Sequence, residues 1–589
     1  MTRELTWKVG GAQGEGIDST GEIFAMTLNR RGHYIFAYRH FMSLIKGGHT
    51  NFKVRVASDK VGYHGDGLDV LIAFDQKTID YNWHELNENA VLIYDSSRIK
   101  SPSIPEDKPG VSLCPVPVTD MAKEVGSAIM KNMVACGVSA AVVGLKPDIF
   151  DTLIQDRFGK KGEKIVESNK SAIKAGYDYA MKQFGVLKSV PEATLEKDGG
   201  GHVFLSGNEA ISMGALFAGC RFLAAYPITP ATEILYWALA HWPKYGGKIV
   251  QAEDEIAACI MAIGANYAGT RAMTSTSGPG LSLMQEAIGL AGISETPLVI
   301  VDVMRGGPGT GLPTKTEQSD LNELMYGSHG EIPRIVLTPS TVEECFDFTI
   351  QAFNLAEKYQ CPVIVASDLF LGMSKQSLSV DDIDLEHIEI DRGNILTDEQ
   401  LAALEERAYQ RYKITETGIS PRTIPGQKNG MFTALSNEHS EGSPVEIEDP
   451  ETRKRMMDKR MKKLNDFDFG ERAYEYDGPE ETDITLAGFG STVSQMKEAQ
   501  AILEREGLKV GRLTVKVVKP FPDEAVKRVL QGAGNIVVVE NNATGQFADL
   551  LKQRVGFHDK ISNCLKYDGD PFTVKEILDH CEQFKGVTV

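Results

Sequence analysis

The sequence predicts an α/β protein of three domains, the middle one a doubly wound parallel sheet. A domain usually has about 150 residues, so a chain of 589 residues is too long to form a single hydrophobic core. Short apolar runs alternate with helix-compatible segments, which is typical of strand–helix–strand units. Several of these runs end in glycine- or proline-rich turns, where open α/β sheets carry their sites.

Residues 1–190 are predicted to form the first α/β domain, and the polar stretch 191–201 a linker. The apolar runs in this domain are typical of buried parallel strands. The predicted elements are a strand at 5–9, the glycine-rich turn GGAQGEG at 10–16, a helix at 19–29 and strands at 33–38, 69–74 and 90–94.

Residues 202–380 repeat the alternation of strand and helix more regularly and predict the doubly wound sheet. The predicted strands are 221–226, 247–251, 272–276, 298–303, 334–337 and 362–367. Residues 481–589 predict a third α/β domain. Its predicted elements are strands at 484–487, 510–517 and 535–540 and a helix at 493–505.

Residues 381–480 are highly charged and are predicted to be a long connecting segment. They include the basic run Arg453–Arg460. A solvated helical face is the interpretation that the sequence favours for this run.

Composition excludes several function classes. A net charge of −19 argues against nucleic acid, which requires clustered Lys and Arg. No apolar run approaches the ~20 residues of a membrane span, and the first residues lack a signal-peptide core, so we expect a cytoplasmic protein. The eight cysteines form no CxxC motif and are predicted to be reduced core thiols, so an iron–sulfur cluster is expected on another chain.

The turn Tyr226-Pro227-Ile228-Thr229-Pro230 directly follows a predicted strand. Its prolines restrict the backbone and leave the Thr229 hydroxyl at the edge of the crevice, where it can donate to a carboxylate or a carbonyl oxygen. An ordinary strand-ending turn is the alternative.

An acidic cluster, Glu253-Asp254-Glu255, opens the predicted helix 256–268. Stabilisation of the helix dipole explains one or two acids there. Dipole stabilisation does not require an acid that faces the apolar side of the helix. A carboxylate there would be partly desolvated, which suits it to proton exchange with a ring nitrogen.

Two glycine-rich loops follow the next two strands. Thr274–Gly280 (TSTSGPG) predicts a cradle of backbone N–H groups, with simple helix capping as the alternative. Arg305–Thr314 (RGGPGTGLPT) can close over a ligand, and Arg305 offers the fork that suits a carboxylate.

Taken in order, YPITP, EDE, TSTSGPG and RGGPGTGLPTKTEQSDL (305–321) resemble the pyrimidine-binding subunit of the 2-oxoacid:ferredoxin oxidoreductase family. The N-terminal domain resembles that family's gamma subunit in GGAQGEG and residues 43–49. The C-terminal domain resembles its transketolase-C-type domain in residues 488–491 and 540–546. The fused gamma–alpha order and GLPTKTEQSDL are most similar to the 2-oxoglutarate branch.

The resemblance implies a thiamine-diphosphate enzyme that reversibly converts a 2-oxoacid and CoA to acyl-CoA, CO2 and reduced ferredoxin. Glu255, or failing that Glu253, matches the glutamate that hydrogen-bonds N1′ of the aminopyrimidine. The positions matched to the substrate are Thr229, Arg305 and Thr310, and those matched to the thiamine are Tyr226, Pro227, Ile228, Ser277 and Gly278.

The resemblance also implies partners. Gly65-Asp66-Gly67, with Asn87 and Asn89 downstream, mimics the diphosphate motif of thiamine enzymes, but a strand-like run (68–74) follows it where a helix should. The diphosphate, Mg²⁺ and a [4Fe-4S] cluster are therefore expected on a beta subunit, in an (αβ)₂ assembly with no metal site on this chain.

Coenzyme A is implied at the gamma-like domain, through Ser43, Lys46 and Gly47. 2-Oxoglutarate is the preferred substrate, with pyruvate or another 2-oxoacid as the alternative. Two rival functions stay open: a thiamine enzyme that needs no electron acceptor, and a non-catalytic CoA-binding or scaffold subunit.

Overall fold

The computed structural model describes residues 4–43, 48–105, 108–190, 202–406, 408–442 and 446–585. The predicted linker 191–201 lies outside the described residues. The chain divides into two compact units: Met1–Leu205 with Ser374–Asp382, and Ser206–Met373 with Ile383–Val589. The predicted division into five segments stays a prediction.

The first part of the chain alternates strands and helices. Its strands are β1 (Glu4–Ala12), β2 (Tyr34–His40), β3 (His49–Ala57), β4 (Leu68–Ala73), β5 (Leu86–Asp95), β6 (Ser112–Val116) and β7 (His202–Ser206). Its helices are α1 (Ile17–Arg30), α2 (Gln76–Asn82), α3 (Val118–Val125), α4 (Lys131–Val142), α5 (Asp151–Phe158) and α6 (Glu163–Gln183).

The middle part continues the alternation. Its strands are β8 (Phe222–Ala225), β9 (Lys248–Gln251), β10 (Ala272–Thr276), β11 (Leu298–Met304), β12 (Ile335–Leu337), β13 (Pro362–Asp368) and β14 (Lys375–Ser379). Its helices are α7 (Gly207–Phe217), α8 (Thr232–His241), α9 (Glu255–Tyr267), α10 (Gly278–Leu283), α11 (Gln285–Ile293), α12 (Leu321–Tyr326), α13 (Val342–Tyr359) and α14 (Leu369–Met373).

The last part contains a long connection and the third sheet. Its helices are α15 (Asp398–Ala402), α16 (Pro450–Lys462), α17 (Val493–Arg505), α18 (Asp523–Gln531), α19 (Gln546–Val555) and α20 (Val574–Cys581). Its strands are β15 (Tyr474–Asp477), β16 (Thr482–Gly488), β17 (Val510–Val515), β18 (Val517–Lys519), β19 (Ala533–Glu540) and β20 (Ile561–Leu565).

The first unit is built on an eight-stranded mixed sheet of order β6-β5-β4-β1-β3-β2-β14-β7. β1, β4, β5 and β6 are parallel, whereas β3 pairs antiparallel with β1, and β2 pairs antiparallel with β3. The sheet also contains β14, which follows the middle domain in sequence and pairs antiparallel with β2. Residues 374–382 therefore group with this unit and not with the segment predicted for 202–380.

The middle sheet of the second unit has the order β18-β12-β13-β11-β10-β8-β9. All of its strands except β18 are parallel in the pairs formed. The apolar sequences of β11 and β13 are buried along their whole length, because helices cover both faces of a parallel sheet. The predicted α/β class with a parallel sheet in the middle is confirmed.

The third sheet, of order β15-β17-β16-β19-β20, lies in the same unit. The single strand predicted at 510–517 is wrong. β17 ends at Val515, and after Lys516 the chain enters β18, which pairs antiparallel with β12 of the middle sheet. The Thr338 amide donates to the Lys516 carbonyl (2.9 Å), so this crossover is anchored on both sides.

The interpretation of the basic run as a solvated face is wrong for half of it. Arg453–Arg455 are exposed, but Lys459 and Arg460 are buried. Lys459 and Lys463 lie on one side of α16 and its end, and their ammonium groups contact the buried carboxylate of Glu295 at 2.6 and 2.5 Å. The segment is thus attached to the middle domain by buried ion pairs.

Candidate active site at the carboxyl edge of the middle sheet

Four loops meet at one edge of the middle sheet because the strands that precede them are parallel. They are the loops after β8, β9, β10 and β11. The structure therefore brings together the four motifs that the sequence singled out.

The turn after β8 is held from two sides. A guanidinium nitrogen of Arg305 donates to the backbone carbonyl of Thr229 (2.7 Å). The side-chain amide of Asn208 donates to the carbonyl of Pro230 (3.0 Å). Tyr226 is exposed, and the Thr229 side chain is half-buried. Arg305 thus contacts Thr229, and the contact is with the backbone carbonyl of the threonine.

Of the acidic cluster after β9, only Glu255 faces inward. Glu253 and Asp254 are exposed, whereas Glu255 is 5 % exposed. Asp254 caps α9 by accepting from the amide of Ala257 (2.7 Å), so helix capping accounts for this acid and leaves Glu255 unexplained.

Glu255 lies against the loop after β10. A Cβ placed on Gly280 would be 2.7 Å from a carboxylate oxygen of Glu255 and 2.1 Å from the Thr276 hydroxyl. Only glycine fits at this position. The same loop carries Ser277, which precedes α10 but makes no capping hydrogen bond with its side chain. Its buried hydroxyl has no partner among the described residues.

The loop after β11 folds back on itself. The Leu312 amide donates to the Gly306 carbonyl (2.8 Å), and Gly311 has a φ of 51° where a Cβ would collide with that carbonyl. Arg305, at the base of the loop, donates to the carbonyl of Thr310 at 3.5 Å. Burial lowers the pKa of Arg305, and the charge of Asp320 opposes this shift.

Two acids of this site escaped the sequence analysis. Asp302 is fully buried in the middle of β11, and Asp320 ends the loop that follows it. Burial, then Asp320 and Glu323, raise the pKa of Asp302 well above its usual range. Burial first, and then the charge of Glu323, raise the pKa of Asp320 to about 7. The sequence carried one signal for a buried acid at position 302, since Asp302 lies inside the apolar run LVIVDVM.

A cavity of about 520 Å³ opens beside Arg305. It is lined by Gly278, Pro279, Ser282, Arg305–Gly309, Glu317, Ser319, Asp320, Glu323, Asn542–Thr544, Gln546 and Tyr567. The C-terminal domain therefore contributes to the rim. Glu255, Thr229 and Tyr226 lie outside this lining.

The glycine-rich turn of the first unit is a separate feature. Gly16 precedes α1 with a φ of 80°, and a Cβ there would lie 1.9 Å from the amide nitrogen of Asn132. Glu15 pairs with Arg98 (2.8 Å) and Lys131 (2.9 Å), so both cations beside the turn already have a carboxylate partner. Ser43 is exposed. Lys46 and Gly47 lie outside the described residues, so the predicted coenzyme A contacts stay predictions.

Three further expectations concern the cysteines, membrane-spanning helices and the Gly65–Gly67 motif. All eight cysteines are buried and unpaired, as predicted. Among the described residues, no helix combines the length and apolar composition that a bilayer crossing requires. Gly65–Gly67 leads into strand β4, so the helix of a diphosphate motif is replaced by a strand, as expected.

Family models match three parts of the chain. "Pyruvate ferredoxin/flavodoxin oxidoreductase" matches residues 6–179. "Pyruvate flavodoxin/ferredoxin oxidoreductase, thiamine diP-bdg" matches residues 213–459, which include all four loops of the site. "Pyruvate:ferredoxin oxidoreductase core domain II" matches residues 482–577.

One of the following two relatives is similar over nearly the full length of this chain, and the other over about two thirds of it. The 2-oxoacid:ferredoxin oxidoreductase subunit alpha of Sulfolobus sp is 33 % identical, over 97 % of this chain and 96 % of that protein. The 2-oxoglutarate synthase subunit KorA of Methanothermobacter thermautotrophicus is 36 % identical over 64 % of this chain and 97 % of its own length.

A solved structure matches as well. It is 2-oxoglutarate:ferredoxin oxidoreductase from Magnetococcus marinus with 2-oxoglutarate, coenzyme A and succinyl-CoA bound. The TM-score is 0.90 at 35 % identity, and the match covers 99 % of this chain and 100 % of that one.

Proposed function

This chain belongs to the 2-oxoacid:ferredoxin oxidoreductases as an alpha subunit, and from that premise we propose that it acts on 2-oxoglutarate. The reaction is the reversible conversion of 2-oxoglutarate, CoA and oxidised ferredoxin to succinyl-CoA, CO2 and reduced ferredoxin. The observation that carries the proposal is that a buried acid, Glu255, and a buried arginine, Arg305, follow parallel strands that end at the same sheet edge.

The choice of 2-oxoglutarate is supported by two relatives. The Magnetococcus marinus enzyme, matched over 99 % of this chain, has 2-oxoglutarate bound, and KorA is named a 2-oxoglutarate synthase subunit. Pyruvate, the substrate named in the family models, is the alternative.

The residues present fit the pyrimidine half of thiamine diphosphate. Ser277 presents a buried hydroxyl without a partner within the described ranges, and Gly278 and Gly280 leave no room for side chains of their own. When bound, thiamine supplies the electron sink for loss of CO2. Glu255 would hold a proton at N1′ of the aminopyrimidine, and the turn Tyr226–Ile228 would border the ring.

Arg305 is the group that we assign to the substrate carboxylate. It is 7 % exposed, so an anion there is held in a partly desolvated site, where a charge-assisted hydrogen bond is strong. Its Nε has no hydrogen-bond partner in the part of the chain that the structure describes. Thr229 and Thr310, whose carbonyls fix the guanidinium, would line the same position.

A partner subunit is proposed to complete the site. Helix α9 exposes apolar side chains at Ile256 (48 %), Ile260 (40 %) and Met261 (41 %), starting next to Glu255. Such a face favours contact with another chain. We assign the diphosphate, Mg²⁺ and a [4Fe-4S] cluster to this beta subunit, in an (αβ)₂ assembly that reduces ferredoxin in the cytoplasm. Coenzyme A is assigned to the first unit.

Co-purification of the native complex tests this proposal. The complex is expected to reduce viologen with 2-oxoglutarate and CoA at a kcat/KM about tenfold or more above that with pyruvate or branched 2-oxoacids. A preference for pyruvate would contradict the substrate, and turnover without any electron acceptor would contradict the reaction.

Arg305→Ala is expected to raise the KM for 2-oxoglutarate about 10- to 100-fold, because a charge-assisted pair is lost. The KM for CoA should stay unchanged, which separates a substrate contact from a general defect. Arg305→Lys, which keeps the charge without the fork, should recover part of the loss. An unchanged KM in Arg305→Ala would remove this residue from the substrate site.

A further inference from the structure

Asp302 and Asp320 form a pair of acidic residues at the cavity, of which only Asp320 belongs to the lining. Asp302 belongs to β11 and is fully buried, and Asp320 lines the cavity itself. Burial and the negative charge of Asp320 both disfavour ionisation of Asp302 and raise its pKa well above the usual range. With no donor beside either of its oxygens among the described residues, Asp302 is the member of the pair that holds a proton.

No other hydrogen-bond donor among the described residues compensates a negative charge on Asp302. Neither oxygen of Asp302 meets a side-chain or backbone donor among the described residues, and the same holds for one oxygen of Asp320. Gly278 packs against Asp320 so closely that a Cβ there would lie 2.8 Å from its carboxylate. An ionised, buried Asp302 would therefore lack every form of compensation.

The surroundings of Asp320 make its charge important for an incoming anion. The charged and titratable groups that face it or line the same cavity are Asp302, Arg305, Glu317, Glu323 and Tyr567. Arg305 is the only cation of this set. Each terminal nitrogen of the guanidinium has a second N–H beside the one donated to Thr229 or Thr310, and the buried Nε–H has no partner in the described structure.

Each further negative charge in this set weakens the attraction of Arg305 for a carboxylate. The pKa of Asp320, raised by burial and by Glu323, lies close to neutral pH. Below that pH Asp320 is neutral, and above it Asp320 adds a negative charge beside Arg305. A bound carboxylate has the reciprocal effect, since it favours the protonated form of Asp320.

We propose that the Asp302–Asp320 pair takes up a proton from solvent when the anionic 2-oxoacid binds at Arg305, so that substrate affinity depends on the protonation of Asp320. This inference rests on the proposed function, because it requires a 2-oxoacid at Arg305. Asp320 acts here as a positioning residue through its charge.

The test is the KM for 2-oxoglutarate of the holoenzyme complex from pH 6 to pH 9, over which this substrate stays fully ionised. The KM of the wild type is expected to rise about tenfold above pH 7. Asp320→Asn, which mimics the protonated form, should keep a low KM at every pH. Glu323→Gln should keep the rise but start it at lower pH, because the charge of Glu323 raises the pKa of Asp320.

A second measurement does not depend on turnover or on a variant. 2-Hydroxyglutarate, whose saturated C2 cannot react, is titrated into the wild-type complex in buffers of different ionisation enthalpy. Net proton uptake near pH 7.5 is expected. A flat wild-type KM, an unaltered rise in Asp320→Asn or zero proton uptake would each overturn the inference. A complex that neither converts nor binds 2-oxoacids would overturn the proposed function and this inference with it.

Discussion

Glu255→Gln is expected to reduce 2-oxoacid-dependent viologen reduction about 100- to 10,000-fold, the range lost when a positioned acid–base group is removed. Glutamine keeps the shape of glutamate and cannot exchange a proton with N1′ of the aminopyrimidine. Because Glu255 lies against Gly280, the isosteric replacement should fit without displacing the loop. The KM for 2-oxoglutarate should change little.

Glu253→Gln is the matched control, since it removes an exposed carboxylate two residues earlier on the same chain. It should retain nearly full activity. Thermal unfolding and co-purification with the beta subunit should be unaffected in both variants. Wild-type turnover in Glu255→Gln would favour the non-catalytic CoA-binding or scaffold function instead.

The second large effect concerns stability. Glu295→Gln is expected to destabilise the middle domain by about 3–5 kcal/mol, because it leaves Lys459 and Lys463 buried without their counter-charge. Burial alone would raise the pKa of Glu295, but Lys463 and Lys459 outweigh burial and hold it below its usual range. The carboxylate therefore stabilises the fold at neutral pH, and this contribution is lost as the pH falls through the lowered pKa.

Limited proteolysis of residues 383–473 and the thermal unfolding midpoint measure this effect. In Glu295→Gln, cleavage in this segment should accelerate and the midpoint should fall. Glu331→Gln, an exposed glutamate of the same domain, is the control and should change neither. Adding Lys459→Met to Glu295→Gln should recover part of the loss, because one uncompensated charge disappears. Equal proteolysis of the wild type, Glu295→Gln and Glu331→Gln would contradict a stabilising role.

Much of the fold follows from local pattern. The strand predicted at 272–276 and the helix predicted at 493–505 have the observed bounds, because each is a long enough apolar or amphipathic run between clear turn residues. The four site loops were predictable for a related reason. Each follows a predicted parallel strand, and parallel strands place their carboxyl ends at one edge.

The predictions that were wrong concern residues whose structure depends on contacts with parts of the chain that are distant in sequence. β18 has three residues and shows no periodicity of its own, and its partner β12 lies far away in sequence. β14 similarly joins a sheet formed by the beginning of the chain. Lys459 is charged, so the sequence predicts an exposed side chain, and only the structure places it against the buried Glu295. Asp320 could be noticed in the motif, but only the structure places Asp302 next to it.

The crossover at Lys516 has a consequence for the order in which the protein is made. Strand β12 leaves the ribosome long before β18, its antiparallel neighbour, has been synthesised. Until then the middle sheet ends in an open row of backbone N–H and C=O groups, which can pair with another nascent chain. Synthesis of the last domain thus closes the sheet of the previous one, and in the interval between the two the unpaired edge of β12 favours aggregation.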